Sequence, residues 1–555
     1  MNGADAVVDI RDFAWRYRGS DSLALDGATF AARRGECVVV AGASGCGKST
    51  LVSVMNGLVP HFHEGSFSGE ATVCGVDVLA APTYEVARHV GSVFQDPRSQ
   101  FFATTTTDEV AFGCENLGLP REETARRVDG AFAALGAEDL RDCSIFELSS
   151  GQKQKVAIAS ALALRPELLV MDEPSANLDN AACAMLADAV ARVVRAGCTV
   201  VVAEHRLGYL ADVADRVVLM ERGRVAGELT RAEARALSWE DASARGLRLA
   251  NLAHVPLPPR PVADGSGGQA PVLQVSGLAA SYGRRQVLAG VDVACAGTAE
   301  VTAVIGENGA GKTTLLRALC GLKREAAGSV ALGGRALDAP ARRERSSFVM
   351  QDADYQLFTE SVDAELKFAR ADVPGLAARI DAVLGALGLA AARTAHPLTL
   401  SGGQKQRVTI ACALVDDTPL VFFDEPTSGL DGGNMREVAR LVRSVAHAGR
   451  RVFVVTHDFE FVACACDRAL AVADGRVADD FAVCEDNRAR LCRWLGVPAA
   501  VGDGAGAGDE GVAGGAGGAG GAGGAADVDG AADMGVAGNA RAASSAGAEA
   551  RACAG

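Results

Sequence analysis

The run Gly42-Ala43-Ser44-Gly45-Cys46-Gly47-Lys48-Ser49 follows the β-branched Val38-Val39-Val40 and precedes a helical pattern from Leu51 to Met55. Strand, glycine loop and helix in that order predict a cradle for a phosphate chain. The glycines let backbone N–H groups turn inward, Lys48 brings a cation, Ser49 a hydroxyl for Mg²⁺, and the helix start its dipole. A single run of this kind also occurs as an ordinary strand-to-helix turn in glycine-rich chains. This chain has it twice. Gly306-Glu307-Asn308-Gly309-Ala310-Gly311-Lys312-Thr313 again lies between an apolar strand, Val301 to Ile305, and a helical pattern. The candidate phosphate contacts are Gly42, Ser44, Gly45, Gly47, Lys48, Ser49 and Thr50, then Gly306, Asn308, Gly309, Gly311, Lys312, Thr313 and Thr314.

Beyond the loops the repeat is in strict register. Ser149 and Ser401, Glu173 and Glu425, His205 and His457, and Asp215 and Asp467 are each 252 positions apart, whereas Lys48 and Lys312 are separated by 264 and Gln95 and Gln351 by 256. The length changes therefore fall between loop and Gln, where the first unit adds Pro60-His61-Phe62-His63-Glu64-Gly65, and in a helical middle section near 105–165. Insertions of this sort are loop changes, and the His-x-His pair reads as solvated loop rather than metal site. Alternating short strands and helices predict an α/β fold. The expected organisation is a first unit over 1–240, a Pro/Gly-rich linker over 241–270, a second unit over 271–497, and a disordered Gly/Ala-rich tail over 498–555.

Each unit also carries an apolar strand ending in two acids, Leu168 to Glu173 and Leu420 to Glu425. Beside a phosphate loop, Asp172 and Asp424 would hold Mg²⁺, and Glu173 and Glu425 would polarise a water that attacks the terminal phosphate. His205 and His457 follow the next strands, at the strand ends where α/β units bind ligands. Leu148-Ser149-Ser150-Gly151-Gln152 and Leu400-Ser401-Gly402-Gly403-Gln404 each open a helix. Their Ser is placed as cap, and small residues let N–H groups approach an anion.

The formal net charge is −15, which argues against nucleic acid or an anionic membrane surface as the main partner. The 15 cysteines are scattered without paired C-x-x-C elements, as expected for reduced thiols in a cytoplasmic protein, and Cys464-Ala465-Cys466 reads as packing. No signal peptide and no apolar run of spanning length is visible, so any membrane span would come from another chain.

Signature, phosphate loop, acid pair and His, in that order and twice, resemble the ATP-binding-cassette ATPases over about residues 5–495. The resemblance implies two tandem P-loop nucleotidase domains, each with a helical subdomain, paired head to tail around two ATP molecules with Mg²⁺. Lys48 would then face Ser401 and Gly403, and Lys312 would face Ser149 and Gly151, with Gln152 and Gln404 beside them. It further implies that Tyr17 and Tyr282 stack on adenine, that Gln95 and Gln351 sense Mg²⁺ and touch a membrane partner, and that the loops Ser175 to Asp179 and Ser428 to Asp431 cross between cassettes. Ser150 stands where the second unit has Gly402. If that position needs a glycine conformation, the expectation is a strain of about 1 kcal/mol in the site with Lys312.

A narrower resemblance is to the fused double-cassette ATPases of energy-coupling factor transporters. It rests on Gln95 to Phe102 with Thr107 to Gly113, on Asn56 to His61, on Glu204-His205-Arg206-Leu207, and on Gln356-Leu357-Phe358 with Glu365 to Phe368. That family implies a transmembrane coupling protein in the groove after each Gln, a small membrane protein capturing a vitamin or metal ion, and a peripheral place on the cytoplasmic face of the membrane. Closure on ATP would draw the grooves together and hydrolysis would release them. A sugar-type double cassette and a soluble ribosome-associated tandem cassette are the competing readings. The intact Lys312 and Thr313 weigh against the first, and the short linker and acidic charge against the second.

Overall fold

Valine-rich strands, buried on both faces, form the centre of each unit in the computed structural model, which describes residues 6–176, 178–259, 272–296, 300–325, 327–351, 353–368, 370 and 374–498. In the first unit the six-stranded sheet runs Arg224–Thr230, Arg216–Glu221, Cys37–Ala41, Thr199–Ala203, Leu168–Asp172, Val90–Val93. All but the first pair are parallel. Continuous burial of Cys37–Ala41 and Thr199–Ala203 is what a parallel sheet covered on both faces demands. The second unit repeats this order with Arg476–Ala482, Arg468–Ala473, Val301–Ile305, Arg451–Val455, Leu420–Asp424 and Ser346–Val349. The expected α/β fold in two like units is the fold observed.

Register decides where the chemistry sits. Val40 and Asp172 both pair with Ala203, and Val304 and Asp424 both pair with Val455. Phosphate loop, acid pair and His thus leave adjacent parallel strands at one edge, the usual binding edge of such sheets. A smaller antiparallel sheet, Leu25–Arg33, Ala6–Tyr17, Gly65–Val73 and Val76–Asp77, shares a core with the helix Lys48–Met55 through Trp15, Phe13 and Leu51. The helical part of the first unit is Thr106–Asn116, Arg121–Leu135 and Ser150–Ala163, and of the second Val362–Lys367, Leu376–Ala386 and Gly402–Asp416. In the added segment His61 Nε2 lies 3.0 Å from the Val78 carbonyl, and the His63 ring meets Tyr17 edge-on at 5.7 Å. The two imidazoles therefore serve separate contacts.

The stretch 241–270, read as linker, differs in its described part. A helix spans Trp239–Ala244, and Leu247, Arg248, Leu249 and Val255 are buried. The stretch carries enough apolar side chains to pack on the second unit, where Arg436 lies over the Trp239 ring at 5.3 Å and donates to the Leu247 carbonyl at 3.2 Å. The remainder of the linker, 260–270, and the Gly/Ala-rich tail from 499 onward lie outside the described residues.

Equivalent acids anchor the strand that feeds each phosphate loop. Asp215 accepts from the Cys37 N–H at 2.9 Å, and Asp467 from the Val301 N–H at 2.9 Å. Removing such a charged acceptor strands a donor at the start of a central strand. Asp215→Ala is expected to lower unfolding stability by about 1–3 kcal/mol, read as a lower urea midpoint.

Candidate functional site

Gly42 has φ 152°, and a Cβ there would lie 2.3 Å from the Met220 carbonyl oxygen. Gly306 meets Val472 in the same way at 2.2 Å. Only glycine lets the loop pass the neighbouring strand this closely. Lys48 Nζ donates to the Gly42 and Ala43 carbonyls at 3.1 Å each, and Lys312 Nζ to those of Gly306 and Glu307 at 2.9 Å each. Each lysine is thereby folded back over its own loop, at the mouth of the cradle.

The acids and hydroxyls converge as the sequence anticipates. Ser49 Oγ donates to Asp172 at 2.9 Å, and Thr313 Oγ1 to Asp424 at 2.9 Å. His205 Nε2 is 3.1 Å from Glu173 and His457 Nε2 is 3.2 Å from Glu425. Gln95 Nε2 donates to Glu173 at 3.0 Å, and Gln95 and Gln351 both line the cavity between the units. Glu173 and Glu425 hold left-handed backbones, φ 44° and 48°, a cost that the adjoining strands must bear. Burial pushes the Asp172 carboxyl up to about 6 and Glu425 up to about 8, although the Lys312 charge opposes the latter. Burial and the Lys312 charge bring His457 down to about 4, so at neutral pH the imidazole that faces Glu425 is uncharged.

Ser149 and Ser401 cap the helices Ser150–Ala163 and Gly402–Asp416. Gln152 and Gln404 return bonds to the cap N–H groups at 2.9 and 3.0 Å, completing a capping box in each unit. A cavity of about 1190 Å³ lies between the units. Asn308, Gly309 and Gly311 to Thr314, with Asp424, Glu425 and His457, line it from the second unit, and Ser149, Ser150 and Asp179 from the first. Lys312 and Ser149 thus open on one space. Lys48 is not on its wall. On that side the Ser44 N–H donates across the units to Asp431 at 2.6 Å.

Gly403 and Gly151 differ in surroundings. A Cβ at Gly151 would meet the Ala182 Cβ at 2.9 Å, whereas at Gly403 the nearest atom, of Asn434, is 3.4 Å away. The expected strain at Ser150 is not there. Gly402 has no positive φ and a Cβ on it meets nothing within 4 Å, because the position is simply the first turn of a helix. The aromatic candidates have local partners: the Tyr17 hydroxyl lies 3.1 Å from Thr50 Oγ1, and Lys323 Nζ sits 3.7 Å over the Tyr282 ring. Thr314, the counterpart of Thr50, lines the cavity. Sequence reasoning gave no role to Arg206 or Arg248, each bonded to a crossing loop. A mismatch at the matched positions 206 and 458 was the available signal.

Fold and site define a tandem nucleotide-binding α/β protein, its phosphate loops and acid pairs in duplicate. A family model described as ABC transporter matches residues 25–176 and 293–428. A Treponema denticola protein named as an ABC transporter ATP-binding protein is 41% identical over 478 residues, covering 85% of this chain and 97% of its own. A Bacillus subtilis protein named for HMP/thiamine import is 30% identical, covering 86% of this chain and 92% of its own. Among solved structures, a model of ribosome-bound archaeal Pelota and ABCE1 shares the tandem fold at TM-score 0.61 and 20% identity, over 87% of this chain and 80% of that one. The chain belongs to the ABC transporter ATP-binding family.

The two signature glycines make opposite predictions. Gly151→Ala is expected to lower stability by about 1–3 kcal/mol through overpacking against Ala182, whereas Gly403→Ala, where the methyl has room and alanine is the better helix former, is expected to raise it by up to about 1 kcal/mol. Denaturant unfolding of the two variants side by side reads the difference.

Proposed function

We propose that the chain is the ATP-hydrolysing subunit of a membrane importer, with residues 1–240 and 271–497 as its two ATP-binding domains. The observation that carries this is the single cavity onto which Lys312, Asp424, Glu425 and His457 of one unit and Ser149 of the other all open. A triphosphate there would have its β and γ phosphates at Lys312 and its far side against the N–H groups at the start of Ser150–Ala163. The pseudo-equivalent site joins Lys48, Asp172, Glu173 and His205 to Ser401 and Gly403. Tyr17 and Tyr282 are the proposed adenine contacts, with Lys323 shifting from the Tyr282 face.

Mg²⁺ suits the donor set. Ser49 with Asp172, and Thr313 with Asp424, offer only hard oxygens, and Gln95 and Gln351 stand nearby. Burial raises both Asp carboxyls, and a cation held there would favour their ionised forms. When bound, the ion neutralises charge on the phosphates. With that positive charge nearby Glu425 would be ionised, and the Glu173 and Glu425 carboxylates would orient and deprotonate the attacking water while His205 and His457 hold them in place through the contacts observed.

Coupling to a membrane partner rests on a second duplicated feature. After each Gln loop an aromatic pair stands at the surface: Phe102 with Phe112, and Phe358 with Phe368, ring centroids 4.9 Å apart in both. Buried Glu109 and Glu365 fix these loops by accepting from the N–H groups of Phe102 and Ala103, and of Phe358 and Thr359. Apolar groups held out to solvent by buried carboxylates suit an apolar helix of a transmembrane coupling protein. Among the described residues no helix is long and apolar enough to cross a membrane, so that partner would supply the span. Similarity to the HMP/thiamine relative supports an energy-coupling factor importer of a vitamin-like solute, with a separate membrane protein capturing it, at the cytoplasmic face of the membrane. Nucleic acid has no part in this reading.

ATP turnover of the purified full chain is expected to fall at least about 100-fold in the double variant Glu173→Gln/Glu425→Gln, as loss of a general base predicts. Retained turnover would remove these acids from the chemistry. Phe102→Glu/Phe358→Glu is expected to lose a polytopic membrane protein that the native chain recovers from detergent extract. Recovery of ribosomes alone by the native chain would contradict the transporter reading.

A further inference from the structure

Positions 206 and 458 are equivalent in the 252-residue register, yet the first is Arg and the second Asp. Arg206 directly follows His205. Its guanidinium donates to the Leu178 carbonyl at 2.9 Å and to the Asn180 side-chain oxygen, on either side of Asp179. Asn180 in turn donates to the His457 carbonyl of the other unit at 2.9 Å.

In the second unit the carbonyl equivalent to Leu178 is that of Leu430. It too accepts from a guanidinium, but the donor is Arg248, from the stretch that joins the units, at 3.2 Å from Nε and 3.1 Å from Nη2. Asp458, which takes the place of Arg206, holds Arg248 at 2.6 Å, and Glu460 adds a contact at 3.2 Å. Glu460 also accepts from the Leu249 N–H at 2.9 Å, and Thr427 Oγ1 donates to Asp458 at 3.0 Å. Arg248 and Glu460 are each 4% exposed, so solvent and salt do little to loosen the cluster. The same loop carbonyl is thus gripped by arginine in both units, once from within the unit and once by a residue recruited from outside it.

The two grips run between sites. Arg206 is adjacent to His205 of the Lys48 site and holds the loop whose Asp179 lines the Lys312 cavity. Arg248 is bonded beside His457 of the Lys312 site and holds the loop whose Asp431 bonds Ser44 of the Lys48 site. We propose that Arg248 and Arg206 are positioning residues that couple the two nucleotide sites, each tying the His loop of one site to the crossing loop that reaches the other. This rests on the reading of both units as ATP sites. A planar guanidinium can hold a carbonyl and a carboxylate at once, which a lysine cannot do in the same geometry. A displacement of His457 by an arriving phosphate therefore moves Leu430 and Asp431 with it. The Arg248 link belongs to the joining stretch, so a second unit lacking residues 247–250 would lose it.

The test uses the full-length chain and reads ATP turnover. Glu425→Gln silences the Lys312 site and leaves the turnover of the Lys48 site. With Arg248 present, that substitution is expected to lower total turnover at least about tenfold, a coupling of ordinary size between linked sites. In an Arg248→Gln background it is expected to lower turnover only about twofold, the share of one of two independent sites, and Arg248→Lys falls between. An equal drop in both backgrounds, large or small, overturns the proposal. A chain that hydrolyses no ATP in any background overturns the ATPase reading instead. Arg248→Gln leaves two buried carboxylates unpaired and can unfold the chain. In that event Arg248→Met/Asp458→Asn/Glu460→Gln, which removes the charges together, takes its place with the same expected and overturning results.

Discussion

The Asp431 carboxylate accepts from two backbone donors at once: the Asn434 N–H of its own helix at 2.7 Å and the Ser44 N–H of the opposite phosphate loop at 2.6 Å. Burial alone would raise this carboxyl, but those N–H bonds hold it below its ordinary value. A loop built to present N–H groups to an anion is thus tied by one to the other unit. With the bonds from Asn180 to the His457 carbonyl and from Ser428 to the Ala176 carbonyl, the contact holds the units face to face, and Lys312 and Ser149 open on a common cavity between them.

Within each unit the constraint is the parallel sheet. Pairing of Val40 and Asp172 with Ala203 delivers the phosphate loop, the acid pair and His205 to one edge without any side chain having to reach far. The same pairing in the second unit places Lys312, Asp424 and His457. The units differ at this edge in Arg206 against Asp458, and away from it in an added segment whose His63 packs on Tyr17 in the first and in Lys323 over Tyr282 in the second. The chemistry is duplicated, whereas its surroundings have diverged.

Much of this edge was legible in the sequence because its parts are local. A glycine loop between strand and helix, two acids ending an apolar run, and a Ser opening a helix each carry their own geometry, and Ser149 and Ser401 do cap their helices. Readings that depended on neighbours fared less well. Strain at Ser150 follows only if its position needs a glycine conformation, and Gly402 has an ordinary helical backbone with open space where a Cβ would stand. The stretch after Trp239 looked like linker from its prolines and glycines, yet Leu247, Arg248 and Leu249 are buried against partners some 180–210 positions away, such as Leu430 and Glu460. No local pattern announces a buried arginine whose acids lie in the other unit.

The most direct measurement is a structure of the full chain carrying Glu173→Gln and Glu425→Gln with ATP and Mg²⁺. Reciprocal pairing predicts two nucleotides, one with its γ phosphate between Lys48 and the helix start at Ser401, the other between Lys312 and the helix start at Ser149. Nucleotides held only by residues of their own unit, with Ser149 and Ser401 left facing solvent, would contradict it.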